Sequence, residues 1–116
     1  MESRDAVNAL SALAQEARLA VFRLLVQAGP AGLPVGDIGR TLDIPPATLS
    51  FHLSQLKQSG LVACRRDGRT LYHSADFRQM DALIAYLGEN CCAKAAAACG
   101  PNVQSCQPKS PKRRSS

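Results

Sequence analysis

The chain has 116 residues, of which 46% are hydrophobic and 20% charged, and a formal net charge of +5. That length suits one domain with a thin core, which favours burying further surface in a dimer. No apolar run approaches the roughly 18 residues of a membrane span, and the acid-containing start "MESRDAVNAL" lacks the apolar centre of a signal peptide, so a cytoplasmic protein with reduced thiols is expected.

The chain opens with helical periodicity. In "AVNALSALAQEARLAVFRLLVQAG", Leu10, Leu13, Ala17, Val21 and Leu24 recur at spacings of three and four, as one buried helical stripe would. A break near Ala14-Gln15 divides the stretch into two helices, and Gly29-Pro30 ends the second. "GPAGLP" reads as a loop. "VGDIGRTLD" reads as a short helix with Val35, Ile38 and Leu42 inward, although Gly36 and Gly39 each cost it about 1 kcal/mol relative to Ala. "IPPATLSFHLSQLKQSG" follows, with Pro46 suited to the first helical turn and Gly60 to the C-terminal cap. Leu49, Leu53 and Leu56 form its apolar stripe, and Thr48, Ser50, Phe51, His52, Gln55 and Lys57 are assigned to the opposite face.

"LVACRRDGRTLYHSA" changes period. Two short β-prone runs flank Asp67-Gly68, a type I′ hairpin signal, and Arg65, Arg66 and Arg69 cluster at the tip. Cys64 falls in the first run and reads as a small buried hydrophobe. The stretch 76–98 then reads as one long helix, N-capped by Asp76, with Phe77, Met80, Ile84, Leu87 and Cys91 forming a seam for another helix. Gly100-Pro101 stops it. The last ten residues hold Lys109, Lys112, Arg113 and Arg114 and no acid, so most of the net charge belongs to a tail. Its Pro/Ser/Lys/Arg composition predicts a flexible, solubilising segment.

This order of elements is that of a mainly α, winged helix-turn-helix protein with a β-hairpin wing. Residues 1–100 form the DNA-binding and dimerisation domain and residues 101–116 the tail. The helix at 35–42, the turn "DIPP" and the helix at 46–58 make the helix-turn-helix unit. Its second helix is expected in the major groove and the hairpin beside the DNA backbone. Between residues 44 and 73, Lys57, Arg65, Arg66 and Arg69 face Asp67 alone, a local excess that supports DNA binding better than the whole-chain charge does. Candidate DNA contacts are Thr48, Ser50, His52, Gln55, Lys57, Arg65, Arg66 and Arg69. No nucleophile–base pairing or phosphate-binding loop is evident, so an enzyme is not expected.

"LAQEARLAVFRLL", "PPATLSFHLSQLKQSGLV" and "RRDGRTLYHSA" together resemble the ArsR/SmtB family of bacterial metal-sensing repressors over roughly residues 6 to 90. The resemblance implies a homodimer joined by its first and last helices, and a repressor that leaves double-stranded operator DNA when an inducer binds. It implies no cofactor for DNA binding, no membrane and no RNA. The chain departs from the family's better-known sensor sites. "GLPVGDI" has no cysteine where the founding arsenic sensors have theirs, and residues 76 to 98 have no histidine for a zinc site. Pro45 and Gln15 stand where relatives often have a Ser or Asp cap, so a frayed start to the recognition helix is expected.

"ENCCAKAAAAC" instead resembles an arrangement in the family that detects As(III) or Sb(III) with adjacent cysteines and one more. Cys91 and Cys92 supply two thiolates, Cys99 is the third by its place in that pattern, and Cys106 is the alternative. Soft centres prefer thiolate ligands. A thiol redox switch and a zinc site are the competing readings of the same residues. If the helix ran through Cys99, Cys92 and Cys99 would lie about 10 Å apart along its axis, too far for one ion. Ligand binding is therefore expected to break the last helical turns and fold the chain back.

Overall fold

The computed structural model describes residues 1–95. It divides into two units, Met1–Tyr86 and a second that begins at Leu87. In chain order the elements are α1 (Ser3–Leu13), α2 (Glu16–Ala28), β1 (Leu33–Pro34), α3 (Val35–Leu42), α4 (Pro46–Gln58), β2 (Val62–Asp67), β3 (Thr70–Ala75) and α5 (Phe77–Leu87), followed by a 3-10 turn, Ala93–Ala95. The expected winged helix-turn-helix is formed.

The break between the first two helices falls where the sequence indicates, but the buried stripe does not run straight through it. In α1 the buried residues are Ala6, Ala9 and Ala12, while Leu10 is 42% exposed. Small side chains let α1 lie close against its neighbours, and each helix takes its own phase. α2 buries Val21, Phe22 and Leu25. Gln15 is a working cap, contrary to expectation: its side-chain oxygen accepts from the Arg18 N–H at 2.9 Å. Gly29, at φ 87°, ends α2.

Ile38 anchors α3 in the core, whereas Val35 stays exposed at its start. Gly39 has a specific reason to be glycine. A Cβ there would stand 3.2 Å from the Ile44 carbonyl oxygen and 3.5 Å from a Leu49 methyl, so its absence lets the turn into α4 close tightly. Leu49, Leu53 and Leu56 are buried on α4 as their spacing predicts. Pro45 provides no side-chain cap, and Pro46 occupies the first turn. The helix ends at Ser59, whose hydroxyl donates to the Leu56 carbonyl at 2.8 Å, and Gly60 follows at φ 82°.

The sheet is antiparallel in the order β1-β3-β2. Strand β1 lies in the stretch read as loop, because a two-residue strand carries no periodicity. Leu33 pairs with His73. The hairpin turn also differs by one residue. Asp67 pairs with Thr70, so Gly68 and Arg69 are the central residues, and only Gly68 takes a positive φ, of 65°. That pattern fits type II′ rather than type I′.

Asp76 caps α5 as expected, accepting from the Gln79 N–H at 3.1 Å. The helix then stops at Leu87 instead of continuing through residue 98. Asn90 and Cys92 both take φ 60°, a left-handed conformation that an α-helix cannot continue through. The residues of the expected seam divide between the chain's own core and its surface. Phe77 and Met80 pack on the core beside Leu83, which the sequence reading missed, while Ile84 and Leu87 are exposed.

Candidate nucleic-acid interface and thiol cluster

On α4, Thr48, Ser50 and Lys57 are exposed, so three of the expected DNA contacts lie where a ligand can reach them. Gln55 is half-buried and turns towards α1 and α2. There it helps line a polar cleft of about 450 Å³ with Asn8, Ser11, Arg18 and Gln58.

His52 does not belong to the outward face. It is 6% exposed and completes the buried stripe at the i+3 position between Leu49 and Leu56. Its Nδ1 lies 3.4 Å from Nη1 of Arg18, whose Nε donates to the Ala12 carbonyl at 2.8 Å. A guanidinium only donates, so Nδ1 is the acceptor and the imidazole proton sits on Nε2. Burial first, and the Arg18 charge second, hold the His52 pKa below the ordinary imidazole value. His52 therefore ties α4 to the end of α1 through Arg18, and its removal from the list of DNA contacts is a correction. The signal was present in the sequence, since 49, 52, 53 and 56 is the full i, i+3, i+4, i+7 pattern. A polar residue type obscured it.

His73 is likewise buried, at 4% exposure, and its Nδ1 has no hydrogen-bond partner among the described residues. Burial, then the nearby Lys57 charge, lowers its pKa.

The wing presents Arg65, Arg66 and Arg69 as exposed residues, but not equivalently. Arg65 donates from Nη2 to the Ala31 carbonyl at 3.0 Å, lies 3.9 Å from the Asp67 carboxylate, and covers the Tyr72 ring at 4.7 Å. Arg66 and Arg69 make no side-chain hydrogen bond or ion pair among the described residues. Cys64 is exposed on β2, not buried. Beyond Val62 every residue of that strand is exposed, because the hairpin extends past the core and no layer covers it.

The adjacent cysteines sit in a turn. Cys91 donates its N–H to the Gly88 carbonyl and Ala93 to that of Asn90, each at 3.0 Å. Cys91 is exposed, and its sulfur lies 3.6 Å from that of Cys92. Two thiolates each about 2.3 Å from a shared tetrahedral ion stand about 3.8 Å apart, so this spacing fits a common soft ligand. Cys99 and Cys106 lie outside the described residues, as does the whole of the expected tail. Among the described residues, no three His, Cys, Asp or Glu side chains gather as a metal site. No described helix is long and apolar enough to cross a membrane.

Comparison with known proteins agrees with this geometry. Residues 13–65 match the model of a helix-turn-helix domain family. The chain is 39% identical to YceK of Bacillus subtilis, an uncharacterised HTH-type transcriptional regulator, over 63% of this chain and 74% of that one. It is 32% identical to the transcriptional activator HlyU of Vibrio cholerae, over 73% and 76% of the two chains. It is 38% identical to a Halobacterium salinarum protein named as an arsenical resistance operon repressor, ArsR, over 71% and 63%. Among solved structures, HlyU of V. cholerae aligns with TM-score 0.62 at 31% identity, covering 79% of this chain and 99% of that one. The homodimeric winged helix-turn-helix DNA-binding domain Mb0332 of Mycobacterium bovis aligns with TM-score 0.59 at 28% identity, covering 75% and 81%. With its fold, its exposed α4 face and its arginine-bearing wing, the chain belongs to the ArsR/SmtB family of DNA-binding transcriptional regulators.

Proposed function

We propose that the protein is a homodimeric repressor that leaves its operator when As(III) or Sb(III) is bound by the thiolates of Cys91, Cys92 and Cys99, with Cys106 the alternative third ligand. The observation that carries this reading is the 3.6 Å approach of two adjacent sulfurs in an accessible turn. It applies to the protein with these cysteines reduced. The similarity to a protein named for the arsenical resistance operon supports the choice of ion. Operator binding falls to Thr48, Ser50 and Lys57 on α4 and to Arg65, Arg66 and Arg69 on the wing, with Gln55 turned away towards α1 and α2.

A dimer is supported by an apolar groove of about 410 Å³, lined by Leu13, Leu19, Phe22, Val26, Leu83 and Ile84, and by the homodimeric relative. Because α5 ends at Leu87, the ligand has no helix to unwind at Cys91; it closes a turn already made. The coupling required between the ligand and DNA is modest, typically about 1–3 kcal/mol. A repressor that acts on operator DNA would work in the cytoplasm.

A second reading, a redox or divalent soft-metal sensor, is favoured by two relatives. HlyU has been solved in a form named as reduced, and a cadmium resistance regulator, the CadC homolog of Staphylococcus aureus, is 29% identical to this chain. Operator release by the reduced protein, measured with As(III), Cd(II) and peroxide in turn, separates the readings. Release by As(III) at low concentration, abolished in Cys91→Ser and Cys92→Ser, is expected. Release by peroxide alone would favour the redox sensor, and undiminished As(III) response in the Cys91→Ser/Cys92→Ser double variant would discard the site.

A further inference from the structure

We propose that Phe51 reads the 5-methyl group of a thymine in the operator's major groove and so helps to set sequence preference. The inference rests on the reading that α4 enters that groove.

The outward midline of α4 begins with Ala47 and Phe51, at i and i+4, both exposed and opposite the buried leucines. Phe51 is 57% exposed. The other exposed large hydrophobic residues are at the N-terminus, on α1, α2 and α5, and at the start of α3. Phe51 is the only one on α4 and the only aromatic one among the described residues. It does not line the apolar groove to which Leu19 and Ile84 belong, so dimerisation does not account for it. A phenylalanine ring in water forgoes one of the larger burial gains a side chain can make. Its value lies in what it meets in the complex.

Recognition helices place their N-terminal residues against base edges. In that half of α4 the midline carries a methyl group, from Ala47, and a ring, from Phe51. Charge is absent there, for the one basic side chain of α4 is Lys57 in the last turn. Guanine is read by Arg or Lys and adenine by Asn or Gln; thymine alone offers an apolar group, its C5 methyl, in the major groove. Ser50 and Thr48 flank the ring with hydroxyls for neighbouring edges. The ring also has an aromatic neighbour. It lies beside the His52 imidazole, 5.9 Å between centroids at 56°, and His52 is held by Arg18. A rigid aromatic side chain loses little freedom on contact.

Burying one methyl group corresponds to about fourfold in affinity, and two half-sites to about fifteenfold. The test uses the full-length protein and an operator selected by it from a pool of random duplex DNA. Each thymine of a half-site is replaced singly by deoxyuridine, which removes only the methyl. The wild-type protein is expected to lose about fourfold at one thymine per half-site. Phe51→Ala is expected to bind thymine and deoxyuridine equally there, with unchanged helicity by circular dichroism, and Phe51→Leu to keep part of the discrimination. A methyl penalty of the same size in Phe51→Ala, or no thymine whose methyl matters, overturns the proposal. Methylation of purine major-groove edges, at guanine N7 or adenine N6, separates the two layers. No interference anywhere in the half-site removes α4 from the groove and the proposal with it. Interference together with penalties independent of Phe51 removes the Phe51 contact alone.

Discussion

Replacing the wing arginines one at a time tests how the protein holds the DNA backbone. Each phosphate contact contributes about 0.9 to the slope of log K against log salt. One substitution removes two contacts when two protomers share an operator, a change in slope of about 1.8. Between 50 and 200 mM salt that change amounts to about twelvefold less loss of affinity than the wild type suffers. Arg66→Ala and Arg69→Ala are expected to show the full effect, because neither side chain has an intramolecular partner among the described residues. Arg65→Ala is expected to change the slope less. Its guanidinium already serves the Ala31 carbonyl and the Asp67 carboxylate and lies over Tyr72. Its loss should instead loosen the junction of the wing with the loop before β1. Fluorescence anisotropy with a labelled operator at four salt concentrations gives the slopes. Unchanged slopes in Arg66→Ala and Arg69→Ala would remove the wing from DNA binding, and the largest change in Arg65→Ala would refute the ranking.

Three further outcomes are expected. Arg18→Ala removes a charged donor from the Ala12 carbonyl and should cost about 1–3 kcal/mol in denaturant unfolding. In the same variant the His52 pKa, followed by NMR, should rise but stay below the ordinary value, because burial, the larger cause, remains; an unchanged pKa would contradict the contact. Both histidines have folded pKa values below the unfolded value of about 6.5, so the unfolded chain binds more protons as pH falls. Stability should therefore be complete above about pH 6.5 and decline as pH drops through that value towards the folded pKa values, and a melting temperature that rises on acidification would reverse the sign. Gly32→Ala should cost at least about 1–3 kcal/mol for its left-handed backbone alone, with a further penalty because its Cβ would stand 2.3 Å from the His73 carbonyl oxygen; a melting temperature equal to wild type would show that β1 is dispensable.

Periodicity revealed the elements of this fold and most of the core, because Leu49, Leu53, Leu56 and Ile38 repeat at the helical period and are buried. It failed where burial depends on neighbours rather than on residue type. The stripe of α1 is alanine, which pattern reading undervalues beside Leu10. Cys64 looked buried because a free cysteine behaves as a small hydrophobe, yet β2 has no layer above it. His52 looked like a DNA contact because it is polar, although its phase is that of the leucines. The end of α5 was hidden by composition: alanine-rich sequence favours helix locally, but Asn90 and Cys92 adopt left-handed φ before that preference can act. Of the proposed cysteine site, the sequence supplies the candidate donors and their adjacency. The 3.6 Å spacing of the first two is a property of the turn.

The corrected assignments also separate affinity from specificity. With His52 withdrawn to the core, the exposed surface of α4 is nearly neutral, carrying hydroxyls, amides, one ring and a single lysine in its last turn. The wing carries three arginines against one aspartate. Phosphate contacts supply affinity without reading sequence, whereas base contacts specify. In the proposed complex a helix with little charge gains little from non-specific DNA and depends on matching base edges, while the hairpin holds the backbone wherever it lands. The Arg18–His52 contact serves that division. It fixes α4 against the end of α1 from the buried side, so the outward face is held in a set orientation without spending any of its own side chains. Substitutions on the wing should therefore change how tightly the protein binds all DNA, and substitutions at Ser50 or Phe51 should change which DNA it prefers.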